Sequence, residues 1–360
     1  MFKTNKIILG VLLCLLAVQV GAAQEPKING YKGDMPLTTY SHDILRGGLS
    51  YTVGDSLYSG KIWAGDAYTV HHTVSLPDGA FVKFARLYNY WTWSAKGTTG
   101  RYPEMNLTFD GNEMSPDAKY DDRKGWGDDY DYPTGTWAYN VTSYVNAGGG
   151  HTTVIKNSGP PDSFFCMDGV GLLVVYTYAG GKDIEYWVNE GADMLNSQMN
   201  QDGTPKYYAT PDQTITEMMN PVIQGEVKSA KLWTIVQSGG WDANKLWIND
   251  LNWTGITDGT PYPDMDVDER DISKYLKPGK NIIRFQAVGD YAVPSGSFLV
   301  VEKEQTAVAQ QTAKAASTQR DTEAEAQAQK NTPGFEAAHA IALVVITAFL
   351  TFRRCSRKTR

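Results

Sequence analysis

Three segments in the first half of the chain have counterparts in the second half, and this internal repeat limits the folds open to the protein. The matching pairs are residues 82–88 with 227–233, residues 140–145 with 271–276, and residues 173–175 with 299–301. The first pair shares the pattern Val-Lys-x-Ala-basic-Leu-aromatic. The pairs keep their order while their separation shrinks, so we predict a duplicated unit with a longer loop in the first copy.

The repeated unit has the composition of β-strands. Residues 68–74 and residues 172–178 are rich in β-branched and aromatic residues and have Gly, Pro or Asp nearby, which is typical of strands bounded by turns. No part of the globular region sustains a helical period beyond two turns, although Asp271 can cap a single turn that ends at Leu276. We therefore expect an all-β fold with two tandem jelly-roll-like β-sandwich modules.

The two modules are expected to span residues 24–185 and residues 186–304. In residues 305–332 the composition changes, because Ala, Gln and Thr dominate and aromatic residues are absent. Such a segment cannot bury enough apolar surface to fold by itself. We interpret it as a flexible stalk.

The N-terminus has the layout of a secretory signal. Lys3 and Lys6 precede an apolar stretch over residues 7–20, and Gly21-Ala22-Ala23 follows it. A positive start, an apolar region and small residues at the end predict a signal peptide over residues 1–23 that is removed on export.

The C-terminus, residues 333–360, has the layout of a membrane attachment. Pro333, Gly334 and Phe335 precede an apolar run over residues 337–352, and a basic cluster ends the chain. The run is about 24 Å long as a helix, at the short end of what spans a bilayer. The basic cluster favours a cytoplasmic C-terminus, so upstream residues would lie outside. A single transmembrane helix that stays and a sorting signal that is processed are both open on these residues.

Pro-Gly-Phe, a short hydrophobic segment and a basic cluster, in this order, resemble the PGF-CTERM sorting signals of archaeal surface proteins. The resemblance covers residues 333–360. It implies recognition by an archaeosortase, removal of the helix and transfer of the protein to a lipid anchor.

Charge and cysteine content narrow the possible partners and the source of stability. The chain has 33 Lys and Arg against 40 Asp and Glu, and the signal and tail hold several of the basic residues. An acidic exported part argues against nucleic acid as a partner, because phosphates would be repelled. Cys166 is the one cysteine left between signal and tail, so no intrachain disulfide can form and the fold must depend on a hydrophobic core.

Alternating carboxylates make one candidate metal site. Asp264, Asp266 and Asp268 would share one side of an extended segment, and a hard cation such as Ca²⁺ prefers clustered oxygen ligands. A solvated acidic edge is the alternative interpretation.

Aromatic residues make one candidate ligand surface. If residues 88–93 form a strand, Trp91 and Trp93 share one face, whereas Tyr88 and Tyr90 share the other. Trp91 and Trp93 are therefore candidates for contact with a glycan, and core packing of a two-sided strand is the alternative.

Three sequons, at Asn106, Asn140 and Asn252, are candidate glycosylation sites in an exported chain. Catalytic signatures are poor. The four histidines of the exported part lie in no recognisable metal or triad motif, and the sequence has no glycine-rich phosphate loop. We therefore predict that the protein is not an enzyme.

Three further segments carry a second resemblance. Residues 47–51, 82–88 and 186–191, in this order, resemble a family of uncharacterised surface proteins from methanogenic archaea. The resemblance covers most of residues 31–304 and implies an archaeal envelope location, but no catalytic residues, because that domain has no assigned function.

The sequence thus predicts a non-enzymatic archaeal cell-surface protein that is displayed on the envelope and serves adhesion, matrix or surface-layer association. Its expected partners are the membrane or a lipid anchor, an archaeosortase, and a surface-layer protein or extracellular glycan. The alternative is an extracellular carbohydrate-binding module or a polysaccharide-acting hydrolase.

Overall fold

Every regular element of the described residues is a β-strand. The computed structural model describes residues 30–125, 131–146 and 148–303. The predicted signal peptide, stalk, transmembrane helix and sorting residues Pro333, Gly334 and Phe335 lie outside these ranges. Within the ranges, no helix has the length and apolar character needed to cross a membrane.

The strands divide into two series, which we call the first and the second repeat. The first repeat contains β1 (Thr38–Thr52), β2 (Lys61–Trp63), β3 (Ala67–Ser75), β4 (Phe81–Lys96), β5 (Thr99–Gly100), β6 (Met105–Phe109), β7 (Asn112–Met114), β8 (Ala118–Asp122), β9 (Thr134–Asn140), β10 (Gly148–Asn157) and β11 (Ser163–Thr177). The second repeat contains β12 (Lys182–Glu190), β13 (Leu195–Asn196), β14 (Ile215–Met219), β15 (Val222–Ile223), β16 (Val227–Gln237), β17 (Lys245–Ile248), β18 (Leu251–Trp253), β19 (Pro261–Tyr262), β20 (Met265–Asp271), β21 (Gly279–Lys280), β22 (Ile283–Gln286) and β23 (Tyr291–Lys303).

The strands form antiparallel sheets, which confirms the all-β prediction. The large sheet has the order β19-β20-β16-β23-β12-β1-β11-β4-β9-β8, with β13, β2 and β5 attached to β23, β11 and β4. Two four-stranded sheets have the orders β3-β10-β6-β7 and β14-β22-β17-β18, and β15 pairs with β21. The predicted module boundary between residues 185 and 186 falls inside β12.

The same topology occurs twice. Inward from its two ends, the large sheet reads β8-β9-β4-β11 and β19-β20-β16-β23, and β1 and β12 meet in the middle. Equivalent strands make equivalent bonds: Val141 N–H donates to Ala85 O at 3.0 Å, and Ile272 N–H donates to Ala230 O at 2.9 Å. The two longest sequence matches therefore lie on equivalent elements of the two repeats.

The third sequence match is displaced by one residue. Leu172 pairs with Leu87 in the first repeat, and Leu299 pairs with Leu232 in the second. Leu172, rather than Leu173, is therefore the structural counterpart of Leu299. The sequence does not reveal this displacement of one residue, because Leu172 and Leu173 are the same residue type. Leu173 faces the opposite side of its strand and is also buried.

Burial follows the pleat of the strands. In β3 the inward side chains are Val70, His72 and Val74, and they alternate with exposed neighbours. In β11, residues 163–175 are all buried, because the strand has a core on each face. A near-continuous apolar segment is what such a strand requires.

Three main cores result. Each four-stranded sheet covers one face of its own repeat's part of the large sheet, and each encloses a separate apolar cluster. On the opposite face, side chains of the two repeats meet each other: the ring of Phe298 lies 5.2 Å from that of Tyr51 and 6.0 Å from that of Tyr88. We call this contact between the repeats the seam.

Candidate functional site

A β-bulge separates the two tryptophans that the sequence places on one face. Thr92 pairs with Cys166 and Ala95 with Phe164, so two residues of β4 oppose Phe165 alone. Trp93 is one of the two, and its φ of 52° lies in the left-handed region. The alternation of side chains between the two faces of β4 stops at this bulge.

Trp91 is consequently buried in the core of the first repeat, whereas Trp93 is 40% exposed. Tyr88 and Tyr90 do share the other face and contribute to the seam. Of the two predicted glycan contacts, Trp93 alone presents its ring to solvent.

Trp93 belongs to a chain of aromatic rings. Its ring lies 5.7 Å from that of Tyr132 and 6.2 Å from that of Tyr291. The chain continues in both directions through centroid distances of 5.1 to 6.4 Å. We call these seven residues the aromatic tract: Trp63, Phe164, Tyr132, Trp93, Tyr291, Tyr31 and Tyr207.

The aromatic tract joins both repeats and reaches solvent at several places. Trp63 is 45% exposed, like Trp93, and Tyr132, Tyr207 and Tyr291 are half-buried. Flat apolar rings with polar edges can stack against the C–H faces of sugars while hydroxyl groups bond to nearby polar atoms. The sequence reveals the rings but not their alignment, since they come from distant segments.

The three sequon asparagines, Asn106, Asn140 and Asn252, are all exposed. Thr142 Oγ1 donates a hydrogen bond to Asn140 Oδ1 at 2.7 Å. Their glycosylation stays a prediction.

The carboxylates of Asp264, Asp266 and Asp268 do not form the calcium cluster that their spacing suggests. Asp268 pairs with Arg270 through two hydrogen bonds. Asp266 is buried and accepts a bond from Gly259 N at 3.0 Å, and burial raises its pKa to about 7. Asp264 precedes β20, so the strand alternation that should align the three does not include it.

A different acidic cluster is present and holds its own cation. Among the described residues, Asp34, Asp122 and Asp193 are the one group of three or more potential metal ligands with ligand atoms within 4.8 Å of one another. Lys124 Nζ lies among them, 2.9 Å from Asp122 Oδ2 and 2.8 Å from Asp193 Oδ1, and it also pairs with Asp34.

The ammonium group of Lys124 therefore takes the place that a metal ion would need. Burial alone would lower the pKa of Lys124, but the charges of Asp193 and Asp122 raise it well above the usual value. Burial raises the pKa of Asp122 to about 6, against the opposing effect of Lys124. The acidic pair Asp121-Asp122 in the sequence does not reveal this cluster, because the three members of the cluster are far apart along the chain.

Asp168 is a buried carboxylate that the sequence reasoning missed. It is 1% exposed, and both its carboxylate oxygens lack a hydrogen-bond partner among the described residues. Burial, and then the negative charge of Asp264, raise its pKa well above the usual range. The sequence signal for this buried carboxylate was a single Asp inside the apolar segment 163–175.

Cys166 lies two residues before Asp168 and is buried. Burial raises the pKa of its thiol, which also has a hydrogen bond with Tyr58. A neutral thiol is a poor nucleophile, so Cys166 acts at this position as a small buried side chain.

The family model called Protein of unknown function (DUF3344) matches residues 30–302. The chain belongs to this family. The prediction of a domain of unknown function is thereby confirmed. No curated protein matches the DUF3344 chain.

Several solved structures are similar to the DUF3344 chain at low identity. An α-L-rhamnosidase of Streptomyces avermitilis in complex with L-rhamnose is 15% identical at a TM-score of 0.20, with 72% of this chain and 28% of that chain covered. A β-porphyranase of Bacteroides plebeius is 11% identical at 0.22, with 77% and 38% covered. The major capsid protein P2 of bacteriophage PM2 is 8% identical at 0.23, with 74% and 99% covered. The chain thus spans well under half the length of the two enzymes.

The prediction that the protein is not an enzyme is overturned. The finding against it is that the rhamnosidase, the porphyranase and a cycloalternan-forming enzyme are among the similar structures. Catalytic carboxylates have no local sequence signature, which is why the motif search was a weak basis for exclusion. At these TM-scores we infer no particular activity.

Proposed function

We propose that this DUF3344 protein is exported, is displayed on the archaeal envelope, and binds extracellular carbohydrate along the aromatic tract, in adhesion, matrix or surface-layer association. The observation that carries the proposal is Trp93. Its ring is 40% exposed and its backbone is left-handed.

A bulky residue with positive φ is an outlier. Such strain costs about 1–3 kcal/mol and concentrates at ligand sites. At Trp93 the strain turns a large apolar ring away from the core, toward Tyr132 and Tyr291. Packing inside the first repeat would have buried that ring at a gain, so a role at the surface accounts for the arrangement.

The rest of the chain supports the same proposal. The predicted signal peptide places residues 24–304 outside the cell, and the resemblance of residues 333–360 to PGF-CTERM signals implies attachment there. We also propose that each repeat is a jelly-roll sandwich, which the separate core and four-stranded sheet of each repeat support. The acidic composition suits a solvated outer surface.

A glycan array tests carbohydrate binding. The ectodomain, residues 24–304, should bind a defined class of polysaccharide, and Trp93→Ala should weaken binding at least about tenfold, equivalent to about 1.4 kcal/mol. Trp241→Ala is the matched control, because Trp241 is 51% exposed and lies outside the aromatic tract. Binding that survives Trp93→Ala, or no binding on the array, would refute the proposal.

Mass spectrometry of the native protein tests the attachment. Processing by an archaeosortase should remove residues after the Pro333-Gly334-Phe335 signal. A C-terminal peptide that extends to Arg360 would leave a simple membrane anchor instead.

A further inference from the structure

The two repeats contain a β-bulge at the same place, but with different polar residues. Asp168 is the extra residue of β11, opposite the pair Tyr90 and Trp91. Ser295 is the extra residue of β23, opposite the equivalent pair in β16. Comparison of the two positions shows what is unusual about Asp168.

Ser295 is fully satisfied. Its hydroxyl accepts a bond from Gln237 Nε2 at 2.7 Å and donates one to Val293 O at 2.8 Å. Asp168 is as deeply buried, yet its carboxylate has no partner among the described residues. An ionised carboxylate in that position costs several kcal/mol unless a positive charge compensates it.

Hydrogen bonds from both repeats hold the backbone around Asp168 in place. Tyr262 Oη of the second repeat donates a hydrogen bond to Asp168 O at 2.6 Å. Within the first repeat, Ser56 Oγ bonds to both Val170 N, at 3.1 Å, and Val170 O, at 3.2 Å. The unpartnered side chain is therefore a feature of a fixed segment.

A second carboxylate approaches from the other repeat. Asp264 follows Tyr262 by two residues, and its charge is felt at Asp168. The two side chains are not hydrogen-bonded to each other. The hydrogen bond from Tyr262 Oη to Asp168 O brings the connection that carries Asp264 to the strand that carries Asp168.

Three other buried carboxylates, Glu190, Asp122 and Asp193, each have a basic partner. Arg86 Nη2 lies 2.8 Å from Glu190 Oε2, with both side chains fully buried, and Lys124 Nζ pairs with Asp122 and Asp193. At Asp168 and Asp264, no basic side chain of the described residues forms such a bond.

We propose that Asp168 and Asp264 bind a hard divalent cation, Ca²⁺, which joins the two repeats across the seam. Carboxylate oxygens are preferred ligands of Ca²⁺, and water completes its shell.

Thermal unfolding of the full purified chain tests the proposal. Millimolar CaCl₂ should raise the Tm over that in EDTA by about 5 °C, the shift expected when the ion exceeds its Kd about 100-fold. Asp168→Asn and Asp264→Asn should each abolish the shift. Asp168→Asn removes a charge without changing the shape, so it should fold, and its Tm in EDTA should equal or exceed that of the wild type.

Asp266→Asn is the matched control, because Asp266 is a buried carboxylate of the same hairpin whose bond to Gly259 N an amide oxygen can retain. It should keep the full calcium shift. No shift in the wild type, a shift retained in Asp168→Asn, or a shift with Cd²⁺ but not Ca²⁺ would each overturn the proposal.

Discussion

Lys124 and Asp264 occupy equivalent places in the two repeats but carry opposite charge. Asp122 pairs with Thr134 at the end of β8 and β9, and Tyr262 pairs with Met265 at the end of β19 and β20. Lys124 and Asp264 each follow that end by two residues. The first lies among three carboxylates, and the charge of the second raises the pKa of another carboxylate, Asp168.

This difference shows how one duplicated framework supports two kinds of site. In the first repeat the connection after β8 is long, residues 123–133, and it supplies an ammonium group that completes its acidic cluster. In the second repeat the connection is two residues, and it adds a negative charge near Asp168. One cluster is complete within the chain, whereas the other requires a cation from solution.

Replacement of the internal ammonium should have the largest effect. Lys124→Met leaves Asp122 and Asp193 buried without compensation, so the free energy of unfolding should fall by about 3–5 kcal/mol. Urea denaturation at neutral pH measures the change. Lys156→Met, at an exposed position, should change stability by less than about 0.5 kcal/mol, and an equal effect of both variants would contradict the comparison.

A pH titration extends the comparison to a buried base of the first repeat, His72 of β3. His72 is buried, and neither of its ring nitrogens has a hydrogen-bond partner within the described part of the chain. Burial lowers its pKa to about 4. The unfolded chain binds a proton near pH 6.5 and the folded chain does not, so stability is full above that pH and falls toward pH 4.

His72→Phe should remove this loss. Between pH 6.5 and pH 4 the wild type should lose up to about 3 kcal/mol relative to the variant, as measured by denaturation at each pH. His71→Gln, at an exposed position, serves as the control. Parallel pH profiles for wild type and His72→Phe would show that folding does not lower the pKa of His72.

The same substitution should have opposite signs in the two clusters. Asp193→Asn removes a charge partner of Lys124 and should lower the free energy of unfolding by about 1–3 kcal/mol. Asp168→Asn in EDTA should raise it by a similar amount, about 1–3 kcal/mol. Its benefit should grow above about pH 4, since the wild-type carboxyl, with its raised pKa, holds a proton that the unfolded chain releases. If both variants lost stability, Asp168 would have a compensating charge as Asp193 does, and the comparison would be contradicted.

Calcium rescue should give the smallest effect. Lys124→Ala leaves three carboxylates with ligand atoms within 4.8 Å of one another, which is suitable for a hard cation. Millimolar CaCl₂ should therefore raise the Tm of Lys124→Ala by about 1–3 °C more than that of the wild type. Differential scanning calorimetry measures both, and identical shifts would mean that the ammonium site cannot accept a metal.

Much of the fold was predictable because its signals are local. Strand chemistry, turn residues and the repeated segments led to the all-β class, and the segment around Ala85 and Ala230 lies on equivalent strands, as the repeat requires. The faces of Tyr88 and Tyr90 also followed from simple alternation.

The site residues were less predictable because their environment depends on distant partners. A bulge opposite Phe165 turns Trp93 outward while Trp91 stays in the core. The spacing of the carboxylates at residues 264–268 suggested a calcium site, yet Asp268 pairs with Arg270. Asp168 stands alone in an apolar strand, where the sequence offers no acidic neighbour.

The sequence by itself determined the strand class, the duplication, the single cysteine of residues 24–332, and membership in a family without assigned function. Tertiary structure alone decided which rings align into the aromatic tract and which carboxylates meet a cation. The physical reason is that strand preference arises within a few residues. Burial, charge compensation and ring alignment arise where segments more than a hundred residues apart come together, as Asp34 and Asp193 do around Lys124.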